Sequence, residues 1–175
     1  MDLLRIGDKL ISKRRILSSI DRILELRMEG HSQQEVADIL GIDRTLISRL
    51  ESLGEVRKGG RIGLIGFPIA NKDEVRQAAE EAGVDFLLLL SDAERWELVT
   101  EGSGAELFNQ ILEWIAQLKE FDSVIFIGSD MRIGLAEAVL GSDIVIGMSL
   151  GPSPIKGDRR VDPEAVASLI RSLRV

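Results

Sequence analysis

Enzymatic chemistry usually needs a nucleophile, a base or a metal, and this chain is poor in all three. It contains no Cys, one His and no Tyr. Without Cys there are no disulfides, thiolate zinc sites, cysteine-held iron–sulfur clusters or cysteine nucleophiles. His31 stands well before any Ser–Asp pair that could complete a hydrolase triad, and it reads as a turn residue. Asp92 and Asp130 could share a metal, but the apolar run Ile62 to Phe67 offers no third carboxylate. A receiver domain would need an acidic pair after that run, where Phe67 and Pro68 stand instead. No Gly-x-x-x-x-Gly-Lys-Ser/Thr occurs, and Gly63-Leu-Ile-Gly66 is not a dinucleotide fingerprint. The expectation is a non-enzyme with no catalytic residues, no metal and no cofactor.

What remains is recognition, which depends on charge and on the elements that hold the polar groups. Of 175 residues, 45% are apolar and 29% charged, enough for a packed core and unlike a disordered chain. The longest apolar runs, such as Phe86 to Leu90, fall far short of the roughly 18 residues of a membrane span. The start, Met-Asp-Leu-Leu-Arg-Ile-Gly-Asp, has no basic stretch followed by an apolar core, so no signal peptide is expected. A reducing, cytoplasmic location with no membrane partner follows as the expectation. The net charge is −7 but is uneven. Residues 1–59 carry 11 Lys and Arg against 10 Asp and Glu, and the remainder 11 against 19. Such asymmetry predicts two domains, of which the first is better able to approach a phosphate backbone.

The N-terminal third predicts helices. Apolar residues from Leu10 to Met28 recur at three- and four-residue spacing, so the stretch Asp8 to Glu29 is read as one helix or two. Lys13, Arg14 and Arg15 interrupt it, as a break or a solvated face would. Gly30 ends it. Ser32-Gln-Gln-Glu35 is a capping box that starts a short helix over 33–40, stopped by Gly41. Asp43 then caps a third helix to about Ser52. Within this stretch Ala37 is small where two helices would cross, Gly41 allows a positive φ in the turn, and Ile47 pins the later helix. Val36, Leu40, Ile42 and Leu50 fill the positions around them.

Residues 33–52 resemble, on that pattern, the helix–turn–helix of DNA-binding repressors, Cro-like and related families. The resemblance implies that Ile42 to Glu51 form a recognition helix exposing Arg44, Thr45, Ser48, Arg49 and Ser52. Arg44 and Arg49 could pair with guanine edges in the major groove, and Thr45 and Ser48 could touch bases or phosphates. Gln33 could hold a phosphate at the start of the first motif helix. The alternative role for Arg44 and Arg49 is a solvated face paired with Glu51 or Glu55. The join that follows, Gly54 to Arg61, is basic, and it reads as a hinge over 57–61 in preference to a small wing hairpin. In either form Arg57, Lys58 and Arg61 are candidate phosphate contacts.

From Ile62 onward apolar runs alternate with helical stretches: strands at 62–67, 84–90, 123–128 and 144–148, and helices at about 72–82, 105–118, 130–140 and 163–173. Continuous apolar strands imply a parallel sheet covered on both faces. The predicted fold class is therefore α/β: an all-α helix–turn–helix domain (1–56), then a small three-layer parallel-sheet domain of Rossmann-like or flavodoxin-like type (62–175). Ligands in such sheets gather beyond the carboxyl ends of the strands. Those ends supply Phe67, Asn71, Lys72, Asp92, Ser129, Asp130 and Ser153, and the long loop after Gly151 adds Lys156. These eight are the candidate ligand-binding residues. Ser91, Ser129 and Asp130 also suit helix caps.

The expected function is a bacterial-type, sequence-specific transcription regulator, with double-stranded DNA as partner and a small-molecule effector sensed by the α/β domain. A single motif contacts few bases, so a homodimer is expected, joined through the α/β domain or the first helix. The alternatives are an α/β enzyme with a DNA-binding targeting head, and a protein-interaction adaptor.

Overall fold

A computed structural model describes residues 3–56, 58–101 and 103–174. The chain divides into two compact units, residues 1–55 and 56–175.

The first unit opens with a hairpin where the sequence led us to expect the start of a helix. Strands β1 (Leu3–Ile6) and β2 (Lys9–Ser12) pair antiparallel, with Leu3 opposite Ser12 and Ile6 opposite Lys9. The reason is local. Gly7 and Asp8 make a two-residue turn in which Gly7 takes φ 58°, a conformation glycine adopts without steric cost. Ser12 then accepts the Arg15 N–H through its side chain and starts α1 (Lys13–Met28). Lys13, Arg14 and Arg15 thus form the exposed first turn of a helix rather than a break in one.

The next two helices begin as their caps dictate. Ser32 and Glu35 complete the capping box of α2 (Gln33–Leu40), and Gly41 closes that helix at φ 64°. Asp43 accepts the Thr45 N–H and starts α3 (Arg44–Gly54). The three helices enclose one small core of Ile23, Leu26, Val36, Ala37 and Ile47, with Leu40, Ile42 and Leu50 packed against it.

The second unit is a three-layer α/β fold. Its sheet contains β3 (Ile62–Gly66), β4 (Phe86–Leu89), β5 (Ser123–Gly128) and β6 (Val145–Ser149), all parallel, in the order β4-β3-β5-β6. Leu64, Ile125 and Ile127 face a layer made by α4 (Lys72–Glu81) and α8 (Pro163–Arg174). Ile65, Val124 and Phe126 face the opposite layer, made by α6 (Gly104–Leu118) and α7 (Asp130–Leu140). Both faces are buried, which accounts for strands that read as unbroken apolar runs.

Two features depart from the expectations. Helix α5 (Asp92–Thr100) follows β4, although none of its residues is buried and so no apolar stripe advertises it. Its start is nonetheless a full capping box, Ser91 with Glu94. The expected hinge is also partly anchored. Gly59 donates its N–H to Leu173 O, and the Arg61 N–H donates to Asp122 Oδ2 at 2.8 Å. Residues 59–61 are therefore tied into the α/β unit by its own backbone and side-chain acceptors.

Candidate functional site

Helix α3 presents two unlike faces. Ile47 is fully buried, and Leu50 and Glu51 lie beside it. On the other side Thr45, Arg49 and Ser52 follow one another at helical spacing, all exposed, with Arg44 exposed in the first turn. Ser48 is half-buried at the flank. The Ser52 hydroxyl donates back to Ser48 O at 3.0 Å, so part of its hydrogen-bonding capacity is already used within the helix.

Glu51 joins the three helices. It accepts from Arg27 Nε at 2.5 Å and from Gln33 Nε2 at 2.6 Å, and these bonds, Arg27's first, hold its pKa below the ordinary carboxylate value. Glu51 is thus occupied by Arg27 and not by Arg44 or Arg49. Among the described residues Arg44 and Arg49 make no ion pair. The same bond takes up one N–H of the Gln33 side-chain amide. Gln33, Ser48 and Ser52 share an open cleft of about 650 Å³ with Ile20 and Leu24. Lys58 is exposed and belongs to the second unit. Arg57 lies outside the described residues. Arg61 lies over the Phe121 ring, 4.3 Å from its centroid, and 3.8 Å from Glu120.

At the carboxyl ends of the strands, Asn71, Lys72, Asp92 and Asp130 are engaged by other residues of the unit. Asn71 is buried, and its amide both donates to Val161 O (2.8 Å) and accepts from Val161 N–H (2.9 Å). The loop that carries Ser153 and Lys156 is laid against the sheet end. Arg159 exchanges backbone hydrogen bonds with Pro68 and Ala70, and Arg160 meets Glu74 at 2.7 Å. Ile155 and Val161 sink into the unit. Asp130 accepts from the Ser149 hydroxyl, and Asp92 pairs with Arg95 at 2.6 Å. Lys156 is exposed. Ser129 precedes α7 without capping it through its side chain. Its hydroxyl is fully buried and has no hydrogen-bond partner among the described residues.

Lys72 forms an ion pair with Glu94, and this bond together with the Ser91 N–H pulls the Glu94 pKa from 4.5 to about 2. The folded state therefore favours the ionised carboxylate. The stabilisation is whole above pH 4.5 and drains away as pH falls toward 2. Glu94→Gln should narrow its melting-temperature gap to the parent as pH drops from about 6 to about 3. A gap that stays constant over that range would show that the pair contributes nothing to acid stability. Because Glu94 is about one-third exposed, at 35%, solvent discounts the effect.

Of the eight expected residues, Phe67 alone lines a pocket that the sequence did not reveal. A groove of about 390 Å³ lies between α5, α6 and α7, with Ile65, Leu88 and Phe126 of the sheet among its lining residues. Arg95 and Arg132 supply its charges, and the other lining residues are apolar. No spacing in the sequence links these two arginines, because they come from different helices. A usable signal was the composition of α7, whose apolar residues lie all round rather than on one face.

Among the described residues no group of three or more His, Asp or Glu could hold a metal ion, and no helix is long and apolar enough to cross a membrane. Compared with known proteins, the chain matches no family model, no curated protein and no solved structure.

Proposed function

We propose that the chain is a sequence-specific DNA-binding transcription regulator. Helices α2 and α3 act as a helix–turn–helix, α3 enters the major groove, and the α/β unit senses a small molecule. The observation that carries this reading is the outward face of α3. Thr45, Arg49 and Ser52 form one exposed stripe beside Arg44, on a helix pinned from behind by the fully buried Ile47. Two cations without carboxylate partners among the described residues, on such a face, suit guanine edges and phosphates. The acidic remainder of the chain would be repelled by the duplex, so contact concentrates on this helix.

The working unit is a homodimer. Leu3, Leu4, Ile6 and Leu10 of the hairpin are 48–67% exposed, and Ile16 and Leu17 of α1 are about half exposed. A lone two-stranded hairpin is marginal in water. A second copy laid over this apolar surface supports it and pairs two reading heads.

The test is a mobility shift on DNA selected from random sequence. Arg49→Ala should weaken specific binding by about 1–3 kcal/mol, roughly 5–150-fold, with the helical content unchanged. Unchanged affinity and unchanged sequence preference would remove Arg49 from base readout. Absence of any selected sequence would favour an adaptor over a regulator.

A further inference from the structure

The groove beneath α5, α6 and α7 combines two features that rarely share one place. Its walls are apolar, and they continue outward into Leu135 at 58% and Val139 at 46% exposure. Its two charges are both positive. Arg95 is partly answered by Asp92 at 2.6 Å. Arg132 feels the same Asp92 charge, but makes no ion pair among the described residues: its guanidinium lies 5.0 Å from the Phe67 ring centroid, and its buried Nη1 has no hydrogen-bond partner among them. Desolvation, and then the charge of Arg95, push its pKa below the ordinary arginine value. A second buried hydroxyl without a partner among the described residues, that of Ser129, stands three residues earlier at the start of the same helix, outside the groove lining. Folded proteins seldom leave buried donors unanswered, and a desolvated cation is costly until an anion meets it.

The geometry points to this groove as the binding site of an amphipathic anion, a molecule with a carboxylate or phosphate head and an apolar body. The head pairs with Arg132 and Arg95. The body lies against Trp114, Leu135 and Val139. The volume, about 390 Å³, falls within the range of roughly 300–1,000 Å³ usual for small-molecule sites. This names the ligand class for the sensing unit proposed above. It rests on that reading for its regulatory meaning, whereas the binding itself stands apart from DNA.

The chain's two Trp residues report on the site, since Trp114 lines the groove and Trp96 lies 5.3 Å from the Arg95 guanidinium. The full chain is titrated with decanoate, decyl phosphate and decanol, each below its aggregation threshold, while tryptophan fluorescence is followed. At least one of the two anions should saturate the signal with affinity about tenfold or more above that of decanol, and the tighter anion identifies the head group. Arg132→Gln should remove that preference and leave decanol binding as it was. Equal affinity for decanol and both anions in the parent protein would overturn the proposal, and so would an Arg132→Gln protein that keeps the preference. Should Arg132→Gln fail to fold, equal affinity for decanol and the anions in the parent protein still overturns the proposal. A mobility shift on the same protein separates the two readings, because lost DNA binding leaves the titration unaffected and a flat titration leaves the shift unaffected.

Discussion

Replacing Ile47 with Ala is expected to cost the helical unit about 2–5 kcal/mol. Ile47 is fully buried, and it is the residue of α3 that enters the core formed by Ile23, Leu26, Val36 and Ala37. The substitution removes three side-chain carbons and leaves a cavity that α1, α2 and α3 would have to close around. A unit of about 55 residues has little stability in reserve, so a loss of this size approaches the whole of it. The two units can be read separately. Both Trp residues, 96 and 114, belong to the α/β unit, whereas far-ultraviolet circular dichroism records helices in both. In urea, Ile47→Ala should bring part of the dichroism signal to much lower denaturant and leave the fluorescence transition in place. A shift worth under about 1 kcal/mol would mean that α3 is held by something other than this core. The DNA binding proposed above should fall along with the helical signal, since the exposed stripe of Thr45, Arg49 and Ser52 depends on the helix behind it.

Features that depend on neighbours in sequence were the readable ones. Ser32 with Glu35, Gly41 and Asp43 announce the ends of α2 and α3 through hydrogen bonds spanning two or three residues, and the helices start and stop there. The strands of the sheet were readable because burial on both faces leaves an unbroken apolar run. Helix α5 was hidden because it buries none of its residues, so its cap at Ser91 was the remaining trace. The hairpin carried one local signal, the Gly7-Asp8 turn, but Leu3 to Ser12 show no clear alternation beside it, since all but the half-buried Ile11 and Ser12 are exposed. At the sheet end the polar residues were legible as loop residues but their partners were not. Asn71 and Val161 are 90 positions apart, and so nothing local marks them as a pair. The same holds for Arg95 and Arg132, which meet at the groove through the packing of separate helices.

That distant pairing carries the second large effect. Asn71→Leu should destabilise the α/β unit by about 2–6 kcal/mol, from two buried backbone groups losing their partner at about 1–3 kcal/mol each. The Asn71 side chain answers both the N–H and the C=O of Val161 and also reaches Glu74 Oε2 at 3.2 Å. Leucine has similar bulk, so little of the loss would come from a cavity. The effect should be local before it is global, because the clip fastens the end of the loop from Gly151 to Asp162. That loop carries Lys156, Arg159 and Arg160, all exposed and all trypsin targets. In the parent protein the Arg159 backbone is held by Pro68 and Ala70, which should protect the segment from the protease. Asn71→Leu should therefore make cleavage after these residues much faster under native conditions and shift the fluorescence-detected urea midpoint downward. Asn71→Asp keeps an acceptor for the Val161 N–H but sets a carboxylate oxygen against Val161 O and Glu74 Oε2, so near neutral pH it should not restore the parent's stability. A leucine variant cleaved at the parent rate would mean that the strap is held by Ile155, Val161 and the Arg159 backbone without the amide's help.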